Sequence, residues 1–186
     1  MQIIWKGQSC VQLIASRIKQ DPVKIVIDPY QDSVGFKLPS LEADIALVTH
    51  DHEDHNNLAA EGEKRGHNTI YTIEAEDMKV CHLGDLGQPE LTPKQVEAIG
   101  SIDILFIPVG GVYTIGAKEA AKVISQIEPK VVIPMHYAIP KLKYKLEGVE
   151  DFLKAMGAKA QEPQQKIILK SKDLSEEEIK IMLLTP

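Results

Sequence analysis

One short segment, in which histidines and acidic residues directly follow an apolar run, constrains the fold of this chain more than any other. Residues 44–49 are nearly all apolar, which predicts a strand covered on both faces of its sheet. His50, His52 and His55 come next, so three of the six histidines lie within six positions. In α/β proteins, ligand sites form at the carboxyl ends of the strands. The segment therefore predicts an α/β fold with a ligand site at the end of this strand.

The rest of the chain alternates short strands with a few helices. Apolar runs rich in β-branched residues predict strands, because such residues suit a pleated sheet. Thr92 and Pro93 before an apolar stripe, with Gly100 after it, predict a capped helix. This order of elements predicts sheets covered by helices on their outer faces. Strands are predicted at residues 2–5, 11–15, 23–27, 44–49, 69–75, 77–82 (a hairpin with the preceding strand), 103–109, 130–134, 166–169 and 179–184, and helices at residues 94–99, 117–127 and 149–156.

Composition excludes several classes of protein. The chain has 186 residues and a formal net charge of -6, which fits one compact domain. Nonspecific nucleic-acid binders normally carry the opposite charge, so no nucleic-acid partner is expected. No apolar run approaches the ~20 residues needed to cross a bilayer, and no signal-peptide pattern is present, so no membrane partner is expected. Two cysteines, Cys10 and Cys81, make a poor disulfide framework and indicate a cytoplasmic location.

The histidine segment has the residue types and spacing of a metal site. His50 and His52 lie two residues apart and can share one ion, while Asp54 and His55 would face a second ion. Imidazole nitrogens suit zinc, iron or nickel, and a carboxylate adds tolerance for manganese. The alternative is a polar surface loop with chance histidines. The alternation of four potential ligands favours the metal site.

Two more residues follow predicted strands where a metal site would need them. Asp85 comes after Gly84, in a turn that presents its carboxylate, and a carboxylate can bridge two cations and offset their repulsion. The alternative for Asp85 is an ordinary Gly-Asp turn. His136 ends another strand, where the alternative is a structural histidine. Because the histidine segment already indicates a metal site, the ligand interpretation is favoured for both Asp85 and His136.

These motifs carry a resemblance to a known family. Residues 50–55 match HxHxDH, the signature of the metallo-β-lactamase superfamily, and Asp85 and His136 fall where that superfamily places its bridging Asp and its last His. The chain also resembles, from end to end, the metal-dependent hydrolase branch related to ascorbate-6-phosphate lactonase. The resemblance implies a four-layer αββα sandwich that forms one domain, residues 1–186. The segments that carry the second resemblance are residues 5–10, 27–29, 81–87, 108–111 and 133–137.

The resemblance implies a binuclear centre and a hydrolytic reaction. Two divalent ions are expected, zinc first, with manganese or iron as alternatives. A hydroxide that bridges the ions would attack a carbonyl carbon or a phosphorus, and Asp54 would take the proton. Asp28 resembles the carboxylate that supports a ligand histidine, although a turn Asp at a strand end is the alternative. The implied ligands are His50 and His52 for one metal, Asp54, His55 and His136 for the other, and Asp85 as the bridge.

The sequence departs from the family in two places. The family usually has Gly-His-Ser in its first motif, whereas this chain has Gln8, which does not titrate near neutrality. The family also has several strands, and a third histidine for the first metal, in an interval that is only 11 residues here, 58–68. His67 lies in that interval and is expected to be a surface loop residue. We expect a segment to be missing between about residues 57 and 66, either deleted from the protein or absent from the sequence as given.

The leading functional prediction is a metal-dependent hydrolase of a small ester, lactone or phosphodiester. The alternatives are a nucleic-acid phosphodiesterase and a non-catalytic, metal-stabilised binding module. Tyr113 and Tyr137 follow motif strands and are predicted to contact substrate, with packing at the rim of the site as the alternative. Lysines that alternate near His136 would attract an anionic small molecule, although a solvated strand is the alternative. These lysines are Lys141, Lys143 and Lys145.

Overall fold

The part of the chain that the structure describes contains ten strands and three α-helices. The computed structural model describes residues 1–35, 37–50, 68–159, 162–175 and 178–186. In chain order the strands are β1 (Gln2–Gly7), β2 (Cys10–Arg17), β3 (Gln20–Ile27), β4 (Ile45–Leu47), β5 (Tyr71–Ala75), β6 (Met78–His82), β7 (Ile104–Pro108), β8 (Val131–Met135), β9 (Ile167–Ile168) and β10 (Lys180–Ile181), and the helices are α1 (Pro93–Ile99), α2 (Ala117–Ile127) and α3 (Val149–Ala155).

The strands form two sheets of five. The first has the order β4-β3-β2-β1-β9, with β1, β2 and β3 antiparallel and β4 parallel to β3. The second has the order β10-β8-β7-β6-β5, with the predicted β5–β6 hairpin at one side and parallel pairing from β6 to β10. One apolar core contains buried side chains from both sheets and from the helices. The predicted layered α/β architecture is confirmed.

The helices form where their sequences predict them. Thr92 accepts a hydrogen bond from the backbone N–H of Gln95, and the Gln95 side chain accepts one from the backbone N–H of Thr92, which caps α1. Helix α2 has the predicted bounds and buries one stripe of side chains against the core, which stabilises its place over the sheet. That stripe consists of Ala120, Val123, Ile124 and Ile127. Within the described ranges, no helix is long and apolar enough to cross a membrane.

The strand before the histidine segment differs from its prediction. β4 contains three residues instead of six, and among the described residues it pairs only with β3. Ile45 is 45% exposed, so the expectation that both faces of this strand are covered is wrong. An apolar run alone does not show whether a strand lies at the centre or the edge of its sheet. The predicted closing strands 166–169 and 179–184 are also shorter, with two residues each in β9 and β10.

Candidate metal centre

Strand ends from both sheets bring three predicted ligands together. His50 lies shortly after β4 in the first sheet, whereas Asp85 and His136 lie after β6 and β8 in the second. The Nε2 atom of His136 is 3.4 Å from Oδ2 of Asp85, and the Nε2 atom of His50 is 3.9 Å from the same oxygen. All three side chains are largely buried, with at most 13% exposure. Residues distant in sequence thus converge on one carboxylate oxygen.

These separations fit a shared metal ion. Zinc binds nitrogen and oxygen ligands at about 2.0–2.2 Å, so two ligands at a tetrahedral angle lie about 3.4 Å apart. The observed 3.4 and 3.9 Å separations are close to that value. By themselves, the residues with described positions contain no group of three or more His, Cys, Asp or Glu side chains that would hold an ion. The described residues alone therefore do not make up a metal site, and the ligand roles of His50, Asp85 and His136 stay predictions.

Three other predicted residues cannot be placed. His52, Asp54 and His55 lie outside the described residues, as does His67. The interval in which a missing segment is predicted, between about residues 57 and 66, also lies outside them. The ligand roles of His52, Asp54 and His55, and the proton transfer by Asp54, therefore stay predictions.

The Asp85 carboxylate is oriented by its neighbours. The hydroxyl of Ser9 donates a hydrogen bond to Oδ1 at 2.9 Å, so the oxygen that faces the two imidazoles is Oδ2. The backbone N–H of Asp85 donates to Oδ1 of Asn68 at 3.0 Å. Gly84 has φ +56°, and a Cβ added there would lie 2.2 Å from that same Asn68 oxygen and 2.8 Å from Thr49. The turn therefore requires glycine to bring Asp85 this close to the end of the first sheet.

A chain of hydrogen bonds fixes the orientation of His50. Asp28 accepts hydrogen bonds from the backbone N–H and the hydroxyl of Thr49, both at 2.7 Å. Because the Thr49 hydroxyl donates its one proton to Asp28, its contact with Nδ1 of His50 at 3.1 Å requires Nδ1 to be the donor. Nε2 of His50 then presents a lone pair toward Asp85. Asp28 is thus linked to a candidate ligand through Thr49, which the sequence analysis missed, and its support of a metal ligand stays a prediction.

His136 is held through its backbone. Its N–H donates to the carbonyl of Gln8 at 3.1 Å, and its own carbonyl accepts from the N–H of Gly110 at 3.0 Å. A Cβ at Gly110 would come within 2.2 Å of that carbonyl, so the two chains approach too closely for any side chain there. The Gln8 carbonyl also accepts from Nε1 of Trp5 at 2.7 Å. His136 is therefore fixed from both sides.

Three residues at this edge of the molecule have left-handed backbone angles. Asp28, Gln8 and His136 have φ values of 50°, 49° and 51°, in the left-handed region that residues other than glycine rarely adopt. Such conformations cost of order 1–3 kcal/mol each and persist where the surrounding structure determines them. Here the determinants are the hydrogen bonds to Thr49, Trp5 and His136. These backbone conformations lower the stability of the fold and set the directions of the three side chains.

The two predicted substrate contacts differ in position. Tyr137 is buried and packs on Trp5 with 4.9 Å between ring centroids, and its hydroxyl donates to the carbonyl of Leu184. Burial raises the pKa of the Tyr137 hydroxyl above its ordinary value. Tyr113 is 62% exposed and meets Tyr144 edge to face at 6.3 Å. The structure therefore favours a packing role for Tyr137 and leaves Tyr113 accessible.

A third described histidine near the site has a structural role that the sequence analysis did not assign. His82 is fully buried, its Nε2 lies 2.9 Å from the carbonyl of Ser9, and its Nδ1 accepts from the N–H of Gly84 at 3.2 Å. Because Nδ1 accepts, Nε2 is the donor to Ser9. His82 thereby links the loop that carries Ser9 to the turn that carries Asp85. The sequence feature that could have indicated this role is the position of His82 at the end of β6, two residues before Gly84.

Comparisons with known proteins agree on the type of fold. A family model described as a beta-lactamase superfamily domain matches residues 2–62 and 59–136. A crystal structure from Thermotoga maritima, described as a Zn-dependent hydrolase of the metallo-β-lactamase superfamily, is 35% identical, covers 99% of both chains and superposes with a TM-score of 0.77. The metallo hydrolase Igni18 of Ignicoccus hospitalis, 18% identical, shares the fold with a TM-score of 0.62 over 91% of this chain and 99% of its own.

A curated relative bears on the short interval after the histidine segment. The UPF0173 metal-dependent hydrolase of Thermococcus onnurineus is 27% identical over 220 aligned positions, which cover 87% of this chain and 94% of the relative. Those 220 positions exceed the 186 residues of this chain, so the relative has residues that this chain lacks. The family model also matches in two pieces that meet at residues 59–62. The missing segment near residues 57–66 stays a prediction.

Proposed function

The chain belongs to the metallo-β-lactamase superfamily, and from this we propose that it uses two divalent ions to hydrolyse a small ester, lactone or phosphodiester. Its relatives are metal-dependent hydrolases, and the Thermotoga maritima structure is described as Zn-dependent, which supports zinc as the first choice of metal. The proposed relation to ascorbate-6-phosphate lactonase makes a lactone the first substrate to test.

The observation that carries this proposal is the convergence of His50, Asp85 and His136. Their nitrogen and oxygen atoms lie at the separations of ligands around a shared ion, although the residues follow strands of two different sheets. We propose that the remaining ligands are His52, Asp54 and His55 of the HxHxDH motif.

Each part of the chain has a distinct task in this proposal. Bound divalent ions lower the pKa of a coordinated water and polarise the oxygen under attack. Thr49 and Asp28 keep Nε2 of His50 directed at the centre. Ser9 holds one oxygen of Asp85, so the other faces the imidazoles. Asp54 is proposed to take the proton released during attack.

We propose an anionic small molecule as the substrate. The segment after His136 returns to the site edge, since the N–H of Ala138 donates to Glu147 and the N–H of Glu147 donates to Gly110. Lysines in this segment are exposed, so they supply positive charge near the site in a chain of net charge -6. Tyr113, exposed in the adjacent loop, is proposed to contact the substrate. The exposed lysines are Lys141, Lys143 and Lys145.

Metal analysis and a substrate panel test the function. Elemental analysis of the purified protein should find two divalent ions per chain. Turnover of lactones, esters or phosphodiesters should be lost on chelation and return when zinc is added. Asp54→Ala should abolish turnover, whereas Asp77→Asn, an exposed residue in the β5–β6 turn, should not.

Two results would count against the proposal. A protein with two bound ions and no turnover across the panel would contradict the hydrolytic function. One ion or none, with no turnover, would favour the alternative of a metal-stabilised binding module. Strongly salt-dependent RNA binding would favour nucleic acid as the substrate. We keep a cytoplasmic location as a prediction, in line with two buried cysteines that form no disulfide.

A further inference from the structure

Gln8 has a buried side chain whose polar atoms have no hydrogen-bond partner among the described residues. The residue is 1% exposed, and neither Nε2 nor Oε1 of its carboxamide has a hydrogen-bond partner in the structure as described. A buried amide without partners is unfavourable, because it has lost its hydrogen bonds to water. Gln8 also holds a strained backbone conformation, with φ 49°. An apolar side chain of the same size would occupy this position at lower cost.

The position of Gln8 connects it to both residues that the second sheet contributes. Its backbone carbonyl accepts the N–H of His136 at 3.1 Å. The next residue, Ser9, donates its hydroxyl to Asp85 at 2.9 Å. The backbone that carries the unpartnered carboxamide is therefore directly bonded to one candidate ligand and adjacent to the residue that holds the other.

We propose that the Gln8 carboxamide is a positioning residue that hydrogen-bonds to a water molecule taken up with the metal. This inference rests on the proposed function and adds a binding role for one residue. The carboxamide offers two donors and an acceptor, so it can both donate to and accept from a water. Water suits the site better than substrate, because both amide atoms are inaccessible from the surface. The amide is then satisfied only in the metal-loaded protein.

We predict that substitution of Gln8 leaves the metal-free protein equally or more stable and weakens its binding of zinc. Gln8→Met keeps the length of the side chain and removes its hydrogen bonds, with Gln8→Leu as a second variant. In metal-free protein prepared with a chelator, we expect the unfolding temperature to stay equal or rise by about 2–4 °C. Zinc affinity, measured by competition with a chromophoric chelator, should fall about tenfold, as is typical when a partner of a metal ligand is removed.

Gln12→Met is the matched control. Gln12 lies in β2, is also buried, and its Nε2 donates to the carbonyl of Glu42 at 3.3 Å. Because this amide is already partnered, its removal should lower the unfolding temperature of both states and leave zinc affinity unchanged.

Three outcomes would overturn the inference. These are unchanged zinc affinity in Gln8→Met and Gln8→Leu, an equal loss of stability in both metal states, and failure of both variants to fold without metal. The last two would mean that the amide already has a structural partner. If the unsubstituted protein binds no zinc, the proposed function fails instead, which separates the two claims.

Discussion

The two sheets hold their candidate ligands in different ways. In the second sheet, every residue of β7 and β8 is buried, and Asp85 and His136 are fixed by Ser9, Asn68 and backbone hydrogen bonds. In the first sheet, His50 follows a three-residue strand whose Ile45 is 45% exposed, and the Asp28–Thr49 pair orients it. The second sheet therefore supplies a rigid half of the site. The first supplies a half that depends on a few polar contacts.

The largest effect is expected at the carboxylate between the two halves. Asp85→Asn keeps the shape and the contact with Ser9 but removes the negative charge that faces His50 and His136. Zinc affinity and kcat/KM should each fall more than about a hundredfold, since loss of an outer partner alone costs 10–100-fold. Asp77→Asn should change neither quantity. A variant at Asp85 with unchanged zinc affinity would show that the halves do not share an ion there.

The turn between the sheets should have no room for a side chain. Gly84→Ala adds a Cβ 2.2 Å from Asn68 at φ +56°, which should cost about 2–4 kcal/mol of unfolding free energy in chemical denaturation. Gly157 has a similar φ of +64° and nothing within 4 Å of an added Cβ, so Gly157→Ala should cost only about 1–2 kcal/mol. Equal losses would mean that strain alone, and not the close approach to Asn68, requires glycine at residue 84.

The polar contacts that orient His50 after the first sheet should affect zinc affinity more than the stability of the fold. Thr49→Val keeps the shape but removes the hydroxyl that links Asp28 to Nδ1 of His50. We expect zinc affinity to fall about tenfold. Thr49→Ser retains the hydroxyl and should bind zinc within about threefold of the unsubstituted protein, the usual context-dependence of such effects. Equal affinities in the Val and Ser variants would contradict the proposed orientation of His50.

The smallest effect concerns a thiol in the rigid half. Burial raises the pKa of Cys81 in β6 to about 12, whereas an unfolded thiol titrates near 8.5. Because the unfolded state releases its proton first, this contribution is fully present below about pH 8.5 and declines as the pH rises toward 12. Between pH 8.5 and 9.5 the unfolding free energy should fall by about 1 kcal/mol. Cys81→Ala should reduce that slope; an unchanged slope would contradict the assignment.

The sequence predicted elements whose cause is local. Helix α2 has its predicted bounds because an apolar stripe ends before Pro129, and Thr92 and Gln95 cap α1 as their spacing indicates. The meeting of Asp85 with His136 was also predictable, because both follow parallel strands of one sheet. What local sequence could not show was that β4 has no second neighbour among the described strands, since strand partners are distant in sequence.

The supporting contacts were harder to predict. Thr49 and Ser9 act through hydrogen bonds to Asp28 and Asp85, which depend on tertiary contacts. Asp and His adopt left-handed backbone angles more often than most residues, but residue type alone does not show that Asp28 and His136 do so here. The available signal was adjacency, because each supporting hydroxyl is next in sequence to a candidate site residue: Thr49 to His50, and Ser9 to Gln8.

The placement of ligands on separate sheets has a consequence for assembly. An ion held by His50, Asp85 and His136 would link the two sheets to each other. The three residues reach one point only when both sheets are packed together. Metal capture would then come late in folding and would slow the opening of the sandwich more than the fraying of either sheet. Dissociation of the ion would accordingly report on the moment when the two layers separate.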